Sequence, residues 1–170
     1  GWFGVRNSDN CSLGDWYVNE DKLPGGLDPL IERVNALGLK FGIHIMRGIP
    51  RQAAHQHTKI KCEGVTANDI AKPSFVCLWN PDMYGVDPDA KGGQEYYDSI
   101  FELYASWGVD YIKCDDIANT EIFPHNPYAA RREIEMIRKA IDKCGRDMVL
   151  SLSPGPAPVE EHEHLAKNAN

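Results

Sequence analysis

The sequence has no apolar run approaching the roughly 20 residues that a membrane-crossing helix needs, so no helical span is expected. It has no CxxC pair. The five cysteines (Cys11, Cys62, Cys77, Cys114 and Cys144) are odd in number and scattered, which argues against a disulfide framework and against a zinc site. No glycine-rich phosphate loop of the GxGxxG or Walker type occurs. Positive charge is in the minority, 18 Lys and Arg against 25 Asp and Glu, and the net charge of −7 weighs against nucleic acid or an anionic membrane as partner. A neutral sugar would be indifferent to that charge. An initiating Met is also missing, and the chain opens within what reads as a motif, so a piece of a longer protein is expected.

What is present is ordinary for a globular protein: 42% apolar and 25% charged residues over 170 positions. A chain of that length buries about two thirds of its unfolded surface, and one domain over 1–170 is expected. Three segments share one grammar of amphipathic helix, glycine stop and short strand. In "LDPLIERVNALGLKFGIHIMRG", Asp28 suits an N-cap, Pro29 the first turn, and Leu30, Ile31, Val34 and Leu37 recur at helical spacing before Gly38; a strand follows over 39–46. In "GGQEYYDSIFELYASWGVDYIKCDD", Tyr97, Ile100, Phe101, Tyr104 and Trp107 form the stripe, Gly108 ends it, and 109–115 is the strand. In "PYAARREIEMIRKAIDKCGRDMVLSLSPG", the stripe is Ile134, Ile137 and Ile141, the stop Gly145, and the strand 148–153.

The first two stops lie about twice as far apart as the second and third, which predicts a further unit between them, with 72–80, "KPSFVCLWN", as its strand. Alternating helices and strands mean a parallel α/β fold. Alternate strand side chains face opposite ways. Ile43 and Ile45, Ile112 and Cys114, and Leu150 and Leu152 therefore make an apolar face, while the other face grows polar toward the strand ends through His44, then Lys113 and Asp115, then Ser151 and Ser153. That pattern suits a (β/α)8 TIM barrel, helices outside and chemistry at the top of the inside; a doubly wound open sheet would want both faces apolar. A whole barrel takes roughly 250 residues. A partial barrel, about strands 2 to 5, is the expectation, and its two open edges predict self-association.

Lys113 and Asp115, two apart on one strand, project together from its C-terminal end, where the ammonium would hold the carboxylate ionised. An oriented, ionised Asp is a nucleophile or an anchor for a developing cation; a structural salt bridge at a strand end is the plain alternative. Asp116 falls on the opposite parity, either capping the next turn or binding ligand from the loop. Trp79 and Asn80 can stack on and hydrogen-bond a sugar ring, with core packing as the alternative for Trp79, and Arg47 either contacts substrate or faces solvent at the barrel mouth. His44, His55 and His57 invite a metal site, with Asp115 as a further ligand, but "RQAAHQHTKIK" reads as loop; "EEHEHLAK" reads as a solvated helix face. Trp16 and Trp107 read as packing residues.

"WGVDYIKCDD" resembles the nucleophile-bearing strand of clan D glycoside hydrolases, family 27. "GLDPLIERVNALGLKFGIHI" is similar to another unit of those enzymes, and "GWFGVRNSDNCSLGDWYVNEDKLPGGL" to the segment after the first strand of the sister family 36. The stretch 44–170, with "RGIPRQA" and "VLSLSPGPAP", resembles a bacterial subgroup of family 27 assigned as α-galactosidase or α-N-acetylgalactosaminidase.

The resemblance implies a retaining glycosidase for terminal α-linked galactose or N-acetylgalactosamine, without cofactor or metal, with Asp115 as nucleophile. It implies sugar contacts from Lys113, from Trp2 in the Asp-Asp-x-Trp turn, from His44 where many relatives have Tyr, and from Ser153, whose small side chain leaves room for a 2-N-acetyl group. The family's general acid/base Asp would follow Asn170, so the chain by itself is not expected to turn over. Two rivals stand beside this reading: a metal-dependent barrel hydrolase, and a sugar-binding fragment without catalysis.

Overall fold

The structure, a computed structural model, describes residues 18–155 and 157–170, so Trp2, Cys11 and Trp16 lie outside the described residues. The element order is α1 (Asp28–Ala36), β1 (Gly42–Met46), β2 (Ile49–Pro50), α2 (Arg51–His55), α3 (Ala67–Ile70), β3 (Ala71–Val76), β4 (Met83–Val86), α4 (Gly93–Ser106), β5 (Tyr111–Asp115), α5 (Arg131–Lys143), β6 (Val149–Leu152) and, after a 3₁₀ turn, α6 (His162–Asn168). The three helix–stop–strand units are α1–β1, α4–β5 and α5–β6. Their stopping glycines, Gly38, Gly108 and Gly145, all take left-handed backbone (φ +72°, +80° and +77°), a conformation that is nearly free only without a Cβ. Asp28 is the first helical residue rather than the cap, a place taken by Leu27.

The units assemble a parallel sheet in the order β1-β5-β6. Its register aligns Ile43 with Ile112 and Leu150, and Ile45 with Cys114 and Leu152. These rows face a core that also holds the stripes of α4 (Tyr97, Ile100, Phe101, Tyr104) and α5 (Ile134, Ile137, Ile141). The opposite face is open: exposed Tyr111 and Val149 lie beside Gly42, then His44 beside Lys113 and Ser151.

β1 and β5 are direct neighbours, which corrects the expectation of a further unit between them. The candidate strand within 72–80 pairs elsewhere: β3 joins β4 antiparallel, β4 joins β2, and the three form a separate sheet of order β2-β4-β3. The physical reason is Pro73. It has no N–H for a ladder, which confines it to edge strands, and β3 is an edge. The described residues therefore hold three parallel strands and no closed barrel, and the long spacing of the first two stops is filled by an excursion over 47–92.

Candidate active site

Asp115 ends β5, and two donors from two strands converge on it. Lys113 Nζ donates to Oδ1 at 2.6 Å. His44 Nε2, on β1, is 2.5 Å from Oδ2; an ionised carboxylate only accepts, so the imidazole donates. The hydroxyl of Ser153, just past β6, pulls the same carboxyl down further. Burial pushes the Asp115 carboxyl up, but the hydrogen bonds from Lys113, Ser153 and His44 together outweigh it and hold the group below the usual aspartate range. The His44 and Lys113 side chains are each about half exposed (51% and 46%). The cluster is thus a charged carboxylate under a polar rim open to solvent.

Arg47 and Asp116, considered above as substrate contacts, are 1% and 3% exposed and face one another. Arg47 Nη2 donates to Asp116 Oδ2 at 2.6 Å and Nε to the Asp116 carbonyl at 2.5 Å. Neither the solvent-facing Arg47 nor the turn-capping or ligand-facing Asp116 of the sequence reading is found. Both charges are turned into the protein because each is the other's partner. Arg47 also lies 3.7 Å over the Phe75 ring and 3.5 Å from Glu133 Oε2 on α5.

Glu133 is a residue the sequence reading missed. The signal is there: Met136, Ile137, Ala140 and Ile141 lie three, four, seven and eight positions on, so Glu133 is a charge within an apolar stripe. Its Oε1 accepts from the Tyr97 hydroxyl (2.5 Å) and from the Val86 N–H (3.1 Å). Burial raises both the Glu133 and the Asp116 carboxyl, and the single guanidinium between them only partly counters it.

That gives a first expected result. A carboxyl whose folded pKa is raised contributes stability that is fully present below its unfolded pKa and is lost as pH rises through the folded value. Relative to the neutral isostere Glu133→Gln, the wild-type protein should therefore lose stability from about pH 4.5 upward, by about 1.4 kcal/mol for each unit of elevation. Asp116 titrates in both proteins, and because it shares Arg47 with Glu133 an ionised Glu133 opposes its ionisation in the wild type, which adds to the loss in the same sense. Urea midpoints measured across pH 4.5 to 8 check this, and curves that stay parallel contradict it.

The remaining predicted residues scatter. Trp79 is half exposed (50%) and Asn80 partly so, on the loop after β3. That loop is moored beside the site: Cys77 packs with Met83 and with Met46, the residue in register with Asp115. His44 turns to Asp115, whereas the His55 ring sits 6.2 Å from that of Tyr84 on β4. Among the described residues no three His, Cys, Asp or Glu side chains gather as a metal site, so the metal reading finds no donor set there.

Residues 1–53 match the family model described as Melibiase. The bifunctional alpha-galactosidase/sucrose kinase of Mediterraneibacter gnavus is 67% identical over 45 residues, 26% of this chain and 5% of that protein. Alpha-galactosidase 1 of Pediococcus pentosaceus is 56% identical over 119 residues, 68% of this chain and 15% of that protein. A GH27 β-L-arabinopyranosidase from Geobacillus stearothermophilus, solved with arabinose, superposes with a TM-score of 0.86 at 46% identity, covering 99% of this chain and 42% of that one. The chain thus matches less than half the length of each of these relatives. The structural relatives are TIM-barrel enzymes. By its family match and its relatives, the chain belongs to the Melibiase family of clan D glycoside hydrolases, the clan of families 27 and 36.

Proposed function

We propose that this chain is the nucleophile-bearing part of a retaining glycosidase built on a (β/α)8 barrel, of which β1, β5 and β6 are a section. Its substrates are terminal α-linked galactosides or their N-acetylamino counterparts. Asp115 is the nucleophile: its Oδ attacks the anomeric carbon, a carboxylic acid from outside the chain protonates the departing oxygen, and water then releases the sugar. The observation that carries this reading is a carboxylate at the C-terminal end of a parallel strand, bonded by Lys113 of its own strand and by His44 of the neighbouring one.

Lys113 and His44, half exposed beside that carboxylate, are the groups placed to meet sugar hydroxyls. Trp79 offers an exposed ring for stacking and Asn80 an amide. Ser153 keeps the third strand's end small, which suits a bulky 2-substituent. Trp2 is carried as a sugar contact by resemblance alone. Asp116 and Arg47 serve the site from behind.

A second substrate deserves testing because of the Geobacillus relative. A β-L-arabinopyranoside has the ring configuration of an α-D-galactopyranoside without its exocyclic hydroxymethyl group, so the same nucleophile geometry serves both. The test uses the complete enzyme that carries this sequence, offered aryl α-galactoside, aryl α-N-acetylgalactosaminide and aryl β-L-arabinopyranoside, with the first-formed product read by proton NMR. Cleavage of at least one with retained anomeric configuration is expected. Inversion, or inertness toward all three, overturns the reading.

A further inference from the structure

We propose that Arg47 is a positioning residue for the nucleophile, acting through the peptide that follows Asp115; the inference rests on the reading of Asp115 given above. β5 stops at Asp115 because Asp116 is left-handed (φ +56°), a conformation uncommon for residues with a Cβ and open to Asp when its polar groups find partners. Arg47 holds it there at three points. Its backbone N–H donates to the Asp115 carbonyl (3.1 Å), its Nε to the Asp116 carbonyl (2.5 Å) and its Nη2 to the Asp116 carboxylate (2.6 Å). Both carbonyls flanking the turn, and the side chain at its centre, thus hang on one residue of the neighbouring strand end. The direction of the Asp115 Cα–Cβ bond follows from the backbone they fix.

The guanidinium is itself held from behind. The Phe75 ring lies beneath it, and Glu133 stands on its far side, anchored by Tyr97 and Val86. Stability alone gives no reason for this construction. Burying one cation with two carboxylates is electrostatically expensive, and well-packed apolar side chains of the same volume commonly do as well or better. What apolar packing cannot supply is a planar fork that meets a carbonyl and a carboxylate oxygen at fixed angles. Lysine cannot supply it either, because its ammonium is a single point. The arrangement is a jig for direction, set directly behind a carboxylate whose work depends on direction.

The experiment compares the complete enzyme with Arg47→Lys, which keeps the charge and removes the fork, and with Phe75→Leu, which keeps the apolar volume and removes the ring under the guanidinium. Each is followed by kcat and KM on the best aryl glycoside and by the rate at which a 2-deoxy-2-fluoroglycosyl fluoride labels Asp115. Active sites are counted by the final labelling amplitude, so that misfolded protein does not enter the rates. Misplacement of a reacting group by about 1 Å costs on the order of 10²-fold. Arg47→Lys should lose about that in kcat and in labelling rate per active site, with KM changed by less than about threefold because Lys113 and Trp79 still meet the sugar. Phe75→Leu should lose less, in the same pattern. If Arg47→Lys does not fold, Phe75→Leu decides alone. Rates per active site within threefold of wild type, or a loss confined to amplitude, overturn the proposal and leave the reading of Asp115 intact. A wild-type enzyme that is not labelled at Asp115 overturns that reading, and the proposal falls with it.

Discussion

Replacing Asp115 with Asn in the complete enzyme is expected to lower kcat by roughly 10⁴-fold or more, the scale on which a lone nucleophile is missed. The amide has nearly the size of the carboxylate it replaces, so the fold is kept. What changes is chemical: an amide oxygen is a poor nucleophile, and the amide nitrogen is a donor set against a donor, since Lys113 Nζ and His44 Nε2 each occupy one oxygen of the native group. Binding of substrate should weaken far less than turnover falls. The smaller Asp115→Gly leaves a gap beside the anomeric carbon, and added azide should restore part of the lost rate by attacking in place of the carboxylate. Unimpaired turnover by Asp115→Asn would show that the nucleophile lies elsewhere.

Substituting Lys113 with Met removes the cation bonded to Oδ1 while keeping much of the stem's length. Burial then opposes ionisation of Asp115 with only Ser153 and His44 left against it. The acid limb of the kcat/KM profile should move up, by less than a buried pair would give, because Lys113 is half exposed and its field is screened by water. At the pH optimum the loss should be on the order of 10²-fold, typical for removing one preorganised electrostatic partner. The stability effect has the opposite pH sense from that of Glu133. A carboxyl whose folded pKa is depressed contributes stability above its unfolded pKa and loses it as pH falls through the folded value, so the advantage of wild type over Lys113→Met should shrink on acidification. An acid limb that stays where it was would separate Lys113 from the ionisation of Asp115.

The residues that could be read from the sequence are those whose role follows from local periodicity. Gly38, Gly108 and Gly145 stop their helices because glycine alone is at ease in left-handed backbone, and Lys113 and Asp115 share a face because strands alternate. Pro73 is equally local: lacking an N–H, it demotes 72–80 from a central strand to an edge. What stayed hidden depends on who lies next to whom across long separations. His44 reaches Asp115 over 71 positions, and Arg47 reaches Asp116 over 69, because β1 and β5 are adjacent. Arg47 at a strand end looks like a rim residue until its partner is known, since a buried charge and a solvated one have the same letter. Glu133 was the exception, a charge within an apolar stripe that periodicity alone could have flagged.

The excursion over 47–92 leaves the end of β1 and leads into α4, and the β1–β5 ladder does not depend on its length. Closing a flexible loop twice as long adds only about 0.6 kcal/mol of entropy. Descendants of this chain could therefore lengthen or shorten the exposed turns of that excursion, such as the one carrying Trp79, provided that Arg47 and Phe75 keep their places behind the carboxylate, while the ladder stays unchanged.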